Sequence, residues 1–131
     1  MLSIQPAGKT DIPIILKLAY DIWPTAYSKI LSASQLKYML QQIYSVEALT
    51  KQIEEGQHFY IAYNDNQPVG FVAVAPFNTA TYKLHKIYLL PQIQGQGAGK
   101  QFLQFAINIA KENKAKSLIL NVNRQNPAFY F

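Results

Sequence analysis

Residues 84 to 100 read Leu-His-Lys-Ile-Tyr-Leu-Leu-Pro-Gln-Ile-Gln-Gly-Gln-Gly-Ala-Gly-Lys, and no other stretch limits the fold as tightly. An apolar run through Ile87, Tyr88, Leu89 and Leu90 halts at Pro91, glycines follow at 95, 97 and 99, and an amphipathic run extends from Ala98 to about Asn113. The pattern predicts a strand, a glycine-rich turn and a helix. Glycine is needed where backbone takes angles closed to other residues, or where a ligand lies against the main chain. The first turn of a helix leaves amide NH groups without intrahelical partners and carries partial positive charge, so this corner suits a phosphate. A tight strand-to-helix turn with no ligand would use the same glycines.

A dinucleotide fingerprint would need its third glycine at position 100, which is Lys100. A Walker A loop would need a glycine where Gln94 stands and Ser or Thr where Gln101 stands. What remains is Gln94-Gly95-Gln96-Gly97-Ala98-Gly99, preceded by Tyr-Leu-Leu-Pro-Gln-Ile. This closely resembles the acetyl-CoA pyrophosphate loop of the GNAT superfamily of N-acetyltransferases, commonly Tyr-Val-x-Pro-x-Tyr-Arg-Gly-x-Gly-Ile-Gly. Here Gln94 replaces the Arg, Ile93 the Tyr and Ala98 the Ile.

At 131 residues, half of them hydrophobic, the chain is predicted to form one globular domain with a core. No apolar run approaches the ~20 residues that span a bilayer. Lys9, Thr10 and Asp11 interrupt any leader-like segment, and the chain has no cysteine. Thiolate catalysis, disulfides and Cys-based metal sites are excluded, no metal is expected, and a cytoplasmic location is the default. The net charge of +5 is uneven. Beyond residue 80 lie Lys83, Lys86, Lys100, Lys111, Lys114, Lys116 and Arg124 against one acidic residue, Glu112. That bias suits an anionic partner in the second half, although scattered lysines also make an ordinary solvated surface.

Residues 2 to 6 alternate like a short strand ended by Pro6. Thr10 or Asp11 offers a cap for a helix carrying Ile14, Ile15, Leu18, Ala19 and Ile22, expected to stop near Trp23-Pro24 because the residue before proline disfavours helix. Ser34 is expected to start a second helix, and Ser45 to cap a third that ends before Gly56. From residue 57 the period changes to that of strands. His58 to Tyr63 and Val69 to Ala75 flank a hairpin turn at 64 to 68, Thr81 to Leu90 form the next strand, and Ser117 to Val122 form another after the glycine-loop helix. The final strand-helix-strand unit is expected to be parallel, with a right-handed crossover. The fold class is α/β in the α+β sense, a mixed, mainly antiparallel sheet flanked by helices.

That element order is also similar to the GNAT order, and residues 121 to 131 (Asn-Val-Asn-Arg-Gln-Asn-Pro-Ala-Phe-Tyr-Phe) resemble a second family segment through Asn126, Ala128, Phe129 and Tyr130. The resemblance covers about residues 57 to 131, with a weaker match before that. It implies acetyl transfer from acetyl-CoA directly to an amine, without a covalent enzyme intermediate. By the same resemblance, the backbone at Ile87 and Leu89 pairs with the pantetheine amides. Amides of Gln94, Gly95, Gln96, Gly97, Ala98, Gly99 and Lys100 hold the pyrophosphate, and Asn126 contacts the cofactor. Asn126 equally suits a helix cap ahead of Pro127.

An amine with a pKa near ~10 must lose a proton before it attacks. In the polyamine-acetyltransferase-like branch a Glu accepts that proton, and here the matching position is His85, whose imidazole titrates near pH ~6.5. A strand histidine with no role is the plain alternative, and His58 is read as structural. The resemblance assigns protonation of the departing CoA thiolate to Tyr130, and places the acceptor pocket at about residues 22 to 31. There Trp23 and Tyr27 are candidate substrate contacts, although Trp23 also suits the core. A small-molecule or peptide amine is the expected acceptor, and a strongly cationic polyamine is disfavoured by the scarcity of acidic residues. GNAT chains usually continue beyond the Tyr with a helix and two strands, so the domain is read as C-terminally incomplete, and two outcomes are open: pairing of Leu118 to Val122 with a second copy at the exposed edge, or a disordered end with weak activity. Two other readings fit the residues: a non-catalytic acyl-CoA binding module on the same fold, and a basic nucleic-acid-associated protein, the latter without any nucleic-acid motif.

Overall fold

The computed structural model describes residues 2–93 and 97–120. Among these residues five strands form one sheet in the order β1 (Leu2–Ala7), β2 (His58–Asn64), β3 (Gln67–Pro76), β4 (Thr81–Leu89) and β5 (Ser117–Leu120). The first four are antiparallel neighbours, and β5 runs parallel to β4. Three helices, α1 (Ile12–Tyr27), α2 (Ala33–Ile43) and α3 (Val46–Glu54), lie between β1 and β2, and α4 (Ala98–Glu112) connects β4 to β5.

The sheet separates two cores. Ile15, Ile22, Trp23, Tyr44, Leu49, Phe59, Ile61 and Phe71 are buried together beneath α1, α2 and α3. On the other face Val72, Val74, Leu84, Phe102 and Ala106 pack beneath α4. β3 contributes to both, which is why it reads as a continuous apolar run from Val69 to Ala75. Between β2 and β3 a two-residue turn places Asp65 at φ 51 and Asn66 at φ 66, left-handed angles that these two residue types tolerate and that match the strand twist.

Three boundaries differ from the sequence expectation. Pro6 lies inside β1 opposite Tyr60, and β1 is an edge strand among the described residues, the place in a sheet where proline is tolerated. Helix α1 passes through Pro24 and ends at Tyr27. The proline removes one helical hydrogen bond, but stacking of Trp23 on Tyr27, ring centroids 4.5 Å apart, favours the extra turn. The second helix is capped by Ser32 rather than Ser34. The Ser32 hydroxyl accepts from the Gln35 amide at 3.2 Å, while the Gln35 side chain accepts from the Ser32 amide at 2.9 Å. Ser45 caps α3 as expected, its hydroxyl accepting from the Ala48 amide at 3.0 Å.

Candidate active site

Strand β4 is irregular where the proton acceptor was expected. Lys86 lies opposite Ala73, and Leu84 opposite Val74, so His85 is an extra residue with no partner on β3. Such a bulge bends the strand and reverses the side-chain alternation beyond it. Before the bulge, Tyr82 and Leu84 face α4. After it, Ile87 and Leu89 do so, leaving Lys86 and Tyr88 on the α1 side. The described pairing of β4 with β5 runs from Thr81↔Ser117 to Leu84↔Leu120, while β4 continues to Leu89 along β3. The bulge therefore lies where the parallel register of the described residues ends.

Past β4 a single 3-10 turn, Pro91–Ile93, leads toward α4. Gly97 is the N-cap of α4 at φ 78 and ψ 1, and it provides no side-chain cap. The first intrahelical bond runs from the Gln101 amide to the Gly97 carbonyl, so the amides of Ala98, Gly99 and Lys100 precede the helical ladder. No acidic residue stands in this first turn, and Lys100 adds a positive charge to the positive end of the helix dipole. Uncapped donors, a left-handed glycine and a lysine fit an anion of pyrophosphate type at this corner.

On the α1 side, aromatic rings pack in a chain. Trp23 touches Tyr27, Tyr44 and Tyr88, and Phe71 touches Tyr44 and Tyr88. The hydroxyls of Tyr27 and Tyr88 are 3.0 Å apart. Burial raises the Tyr88 and Tyr44 phenols well above the ordinary range, so both hydroxyls stay protonated and neutral at any physiological pH. Near Tyr44 the Trp23 indole partly offsets that rise, although neither Trp23 Nε1 nor the Tyr44 hydroxyl closes a hydrogen bond among the described residues.

His85 itself is exposed. Partial burial, with Lys83 and Lys86 nearby, lowers its pKa, so the imidazole is neutral and able to accept a proton at pH 7. Lys86 is 9 % exposed, donates to Gln57 Oε1 at 2.9 Å and stands 5.4 Å from the Phe59 ring centre. Burial, with a smaller effect from Lys83, brings its pKa down to about 8.

Of the expected site residues, His85, Ile87 and Leu89 follow one another along the outer half of β4, and Gly97, Ala98, Gly99 and Lys100 form the first turn of α4 at its end. Trp23 is a core residue at 4 % exposure, whereas Tyr27 is half-buried and reaches Tyr88. Gln94, Gly95, Gln96, Asn126 and Tyr130 lie outside the described residues. Two residues were missed from sequence: Tyr88, the partner of Tyr27, and the buried Lys86. Their only trace was the three-residue step from Leu84 to Ile87 between α4-facing positions.

The family model described as acetyltransferase (GNAT) family matches residues 16–130. The chain belongs to this family. The GNAT chain is thereby an acyltransferase of the class that its glycine loop indicated. It is 25 % identical over 136 residues to the uncharacterized N-acetyltransferase YuaI of Bacillus subtilis strain 168, spanning 100 % of this chain and 77 % of that protein. The crystal structure of PaiA N-acetyltransferase from Thermoplasma acidophilum, in complex with coenzyme A, superposes with a TM-score of 0.87 at 24 % identity, covering 96 % of this chain and 82 % of that one. A GNAT family acetyltransferase from Elizabethkingia anophelis with acetyl-CoA bound gives a TM-score of 0.60 at 24 % identity, over 91 % and 63 % of the two chains. Both share the mixed, mainly antiparallel fold. Among the described residues no helix is long and apolar enough to cross a membrane, and no group of three or more His, Asp or Glu is placed to hold a metal.

Proposed function

We propose that this GNAT protein transfers the acetyl group of acetyl-CoA directly to the primary amine of a small molecule or peptide in the cytoplasm. The observation that carries the reading is a juxtaposition within the described residues. Strand β4, bulged at His85, carries Ile87 and Leu89, and α4 packs against it with a first turn that bears Lys100 and has no side-chain cap at Gly97. In this reading the backbone of Ile87 and Leu89 holds the pantetheine as an added strand, and the amides from Gln94 to Lys100, with Asn126, hold the phosphate end. His85, neutral at pH 7, takes the proton of the attacking amine, directly or through water. Tyr130 returns a proton to the CoA thiolate, and Tyr27, next to Trp23 and Tyr88, borders the acceptor.

Support comes from family membership, from the PaiA and Elizabethkingia neighbours having been crystallised with CoA and acetyl-CoA, and from the charge pattern at the α4 corner. Calorimetric titration with CoA and with a DNA duplex, followed by amine turnover of His85→Ala, tests the assignment. The expected result is CoA binding without DNA binding, and a variant that keeps its CoA affinity but loses about 10²-fold or more in kcat. A His85→Ala protein with unaltered rates from pH 6 to 9 would remove the histidine from the mechanism.

A further inference from the structure

All seven acidic residues of the chain lie within the described part, and none of them forms an ion pair with Lys86, Lys83 or His85. Glu54 pairs with Lys9, Asp21 with Lys17 and Glu55 with Lys51, while Asp11 accepts from the Gly8 amide. Asp65 is in the β2–β3 turn, Glu47 begins α3 and Glu112 ends α4. Lys86 nevertheless sits buried on the α1 side of the sheet, in one cross-strand row with Ala73 and Phe59. One of its three donors goes to Gln57, and no carboxylate within the described residues offsets its charge. Lys83, opposite Ala75, shares that side. A buried cation without an anion is costly, and chains seldom retain one unless something supplies the missing charge.

We infer that Lys86 and Lys83, flanking His85 on the face opposite α4, receive a carboxylate carried by the acceptor, so that the preferred substrate is an amino acid or an acidic peptide amine rather than a polyamine. This rests on the acetyltransferase reading and narrows its substrate class. A second ammonium on the acceptor would meet two lysines and no counter-charge. A carboxylate there gains charge-assisted hydrogen bonds from donors that are already desolvated. The phosphates of CoA are an unsuitable source of this anion, because their corner lies at the start of α4, whereas Lys86 faces α1, α2 and α3.

The test uses primary amines of matched length that end in a carboxylate, a carboxamide or a second amine. Their KM in a thiol-release assay, and their calorimetric affinity for the CoA-loaded protein, are measured for wild type, Lys86→Gln and Lys83→Gln. The expected order is carboxylate, then carboxamide, then diamine, with about a tenfold or greater advantage of carboxylate over carboxamide that collapses in Lys86→Gln. Because each ratio is taken within one variant, partial loss of folded protein does not imitate the effect. Equal or better use of the diamine, an unchanged ratio in Lys86→Gln, or failure of every carboxylate to bind the CoA-loaded protein overturns the inference. Loss of CoA affinity in Lys86→Gln also overturns it, by moving the lysine to the cofactor. Failure of the wild type to bind CoA strikes the acetyltransferase reading itself, and the inference falls with it.

Discussion

Gly97→Val separates the fold of the glycine corner from its proposed task. Gly97 adopts φ 78 and ψ 1, and a Cβ built there meets no heavy atom within 4 Å. The first side-chain carbon therefore meets no clash in the described structure, and the cost falls first on the backbone. A left-handed angle costs an L residue about 1–2 kcal/mol, and β-branching makes valine a poor occupant. The chain can bear that cost, since α4 is anchored independently by Phe102, Ala106 and Ala110 in the second core. If the backbone escapes to negative φ, the amides of Ala98 to Lys100 rotate away from a bound pyrophosphate. Each charge-assisted bond lost is worth about 1.5–3 kcal/mol, so CoA should bind about 10- to 100-fold more weakly. Gly99→Ala is the control. Its Cβ would make an ordinary 3.9 Å contact with Leu89, and alanine is the better helix former, so thermal stability should hold or rise by up to about 1 kcal/mol. Calorimetry with CoA and thermal unfolding on the same samples decide the matter. A folded Gly97→Val protein with wild-type CoA affinity would refute the assignment of this loop.

Gly70→Ala should be far more damaging to the fold, because its Cβ would come within 2.5 Å of the Tyr88 carbonyl and 2.6 Å of Leu89, breaking the β3–β4 register; a loss of about 2 kcal/mol or more in urea titration is expected, and an unchanged midpoint would contradict the packing. Lys86→Met should stabilise the chain at pH 7, by up to about 3 kcal/mol, since burial lowers the lysine pKa from 10.5 to about 8. Between about pH 8 and 10.5 the unfolded chain binds the extra proton, so wild-type stability should rise with pH across that window and the variant should lack this rise; equal slopes in the two proteins would contradict the burial of the ammonium. For His85 the lowered pKa means that the imidazole remains unprotonated to below pH 6.5, so kcat should fall on the acid side only beneath that value, as a pH–rate profile with saturating amine would read.

The parts of the fold written in local chemistry were legible in the sequence. The strand-to-helix step ahead of α4, a hairpin turn within 64 to 68, the Ser45 cap and a strand over Val69 to Ala75 follow from residue type and spacing. Longer-range competition was not legible. Pro24 reads as a helix stop until Trp23 and Tyr27 are known to stack, and Pro6 reads as a strand stop until β1 is known to be an edge. The bulge at His85 leaves only the three-residue step from Leu84 to Ile87 in the sequence, and that step becomes an extra residue only against the partner strand. That bulge moved Lys86 and Tyr88 to the face of the aromatic core and turned two ordinary strand residues into candidates for acceptor recognition.

Direct transfer is the central claim, and its most immediate measurement is initial-rate kinetics of CoA release. The chain has no cysteine, so a thiol reagent reads only the product thiol. With acetyl-CoA and an amine varied together, direct transfer gives amine-dependent release and intersecting double-reciprocal lines, as a ternary complex requires. Parallel lines, which signal a covalent acetyl-enzyme, or thiol release indifferent to the amine, would contradict it.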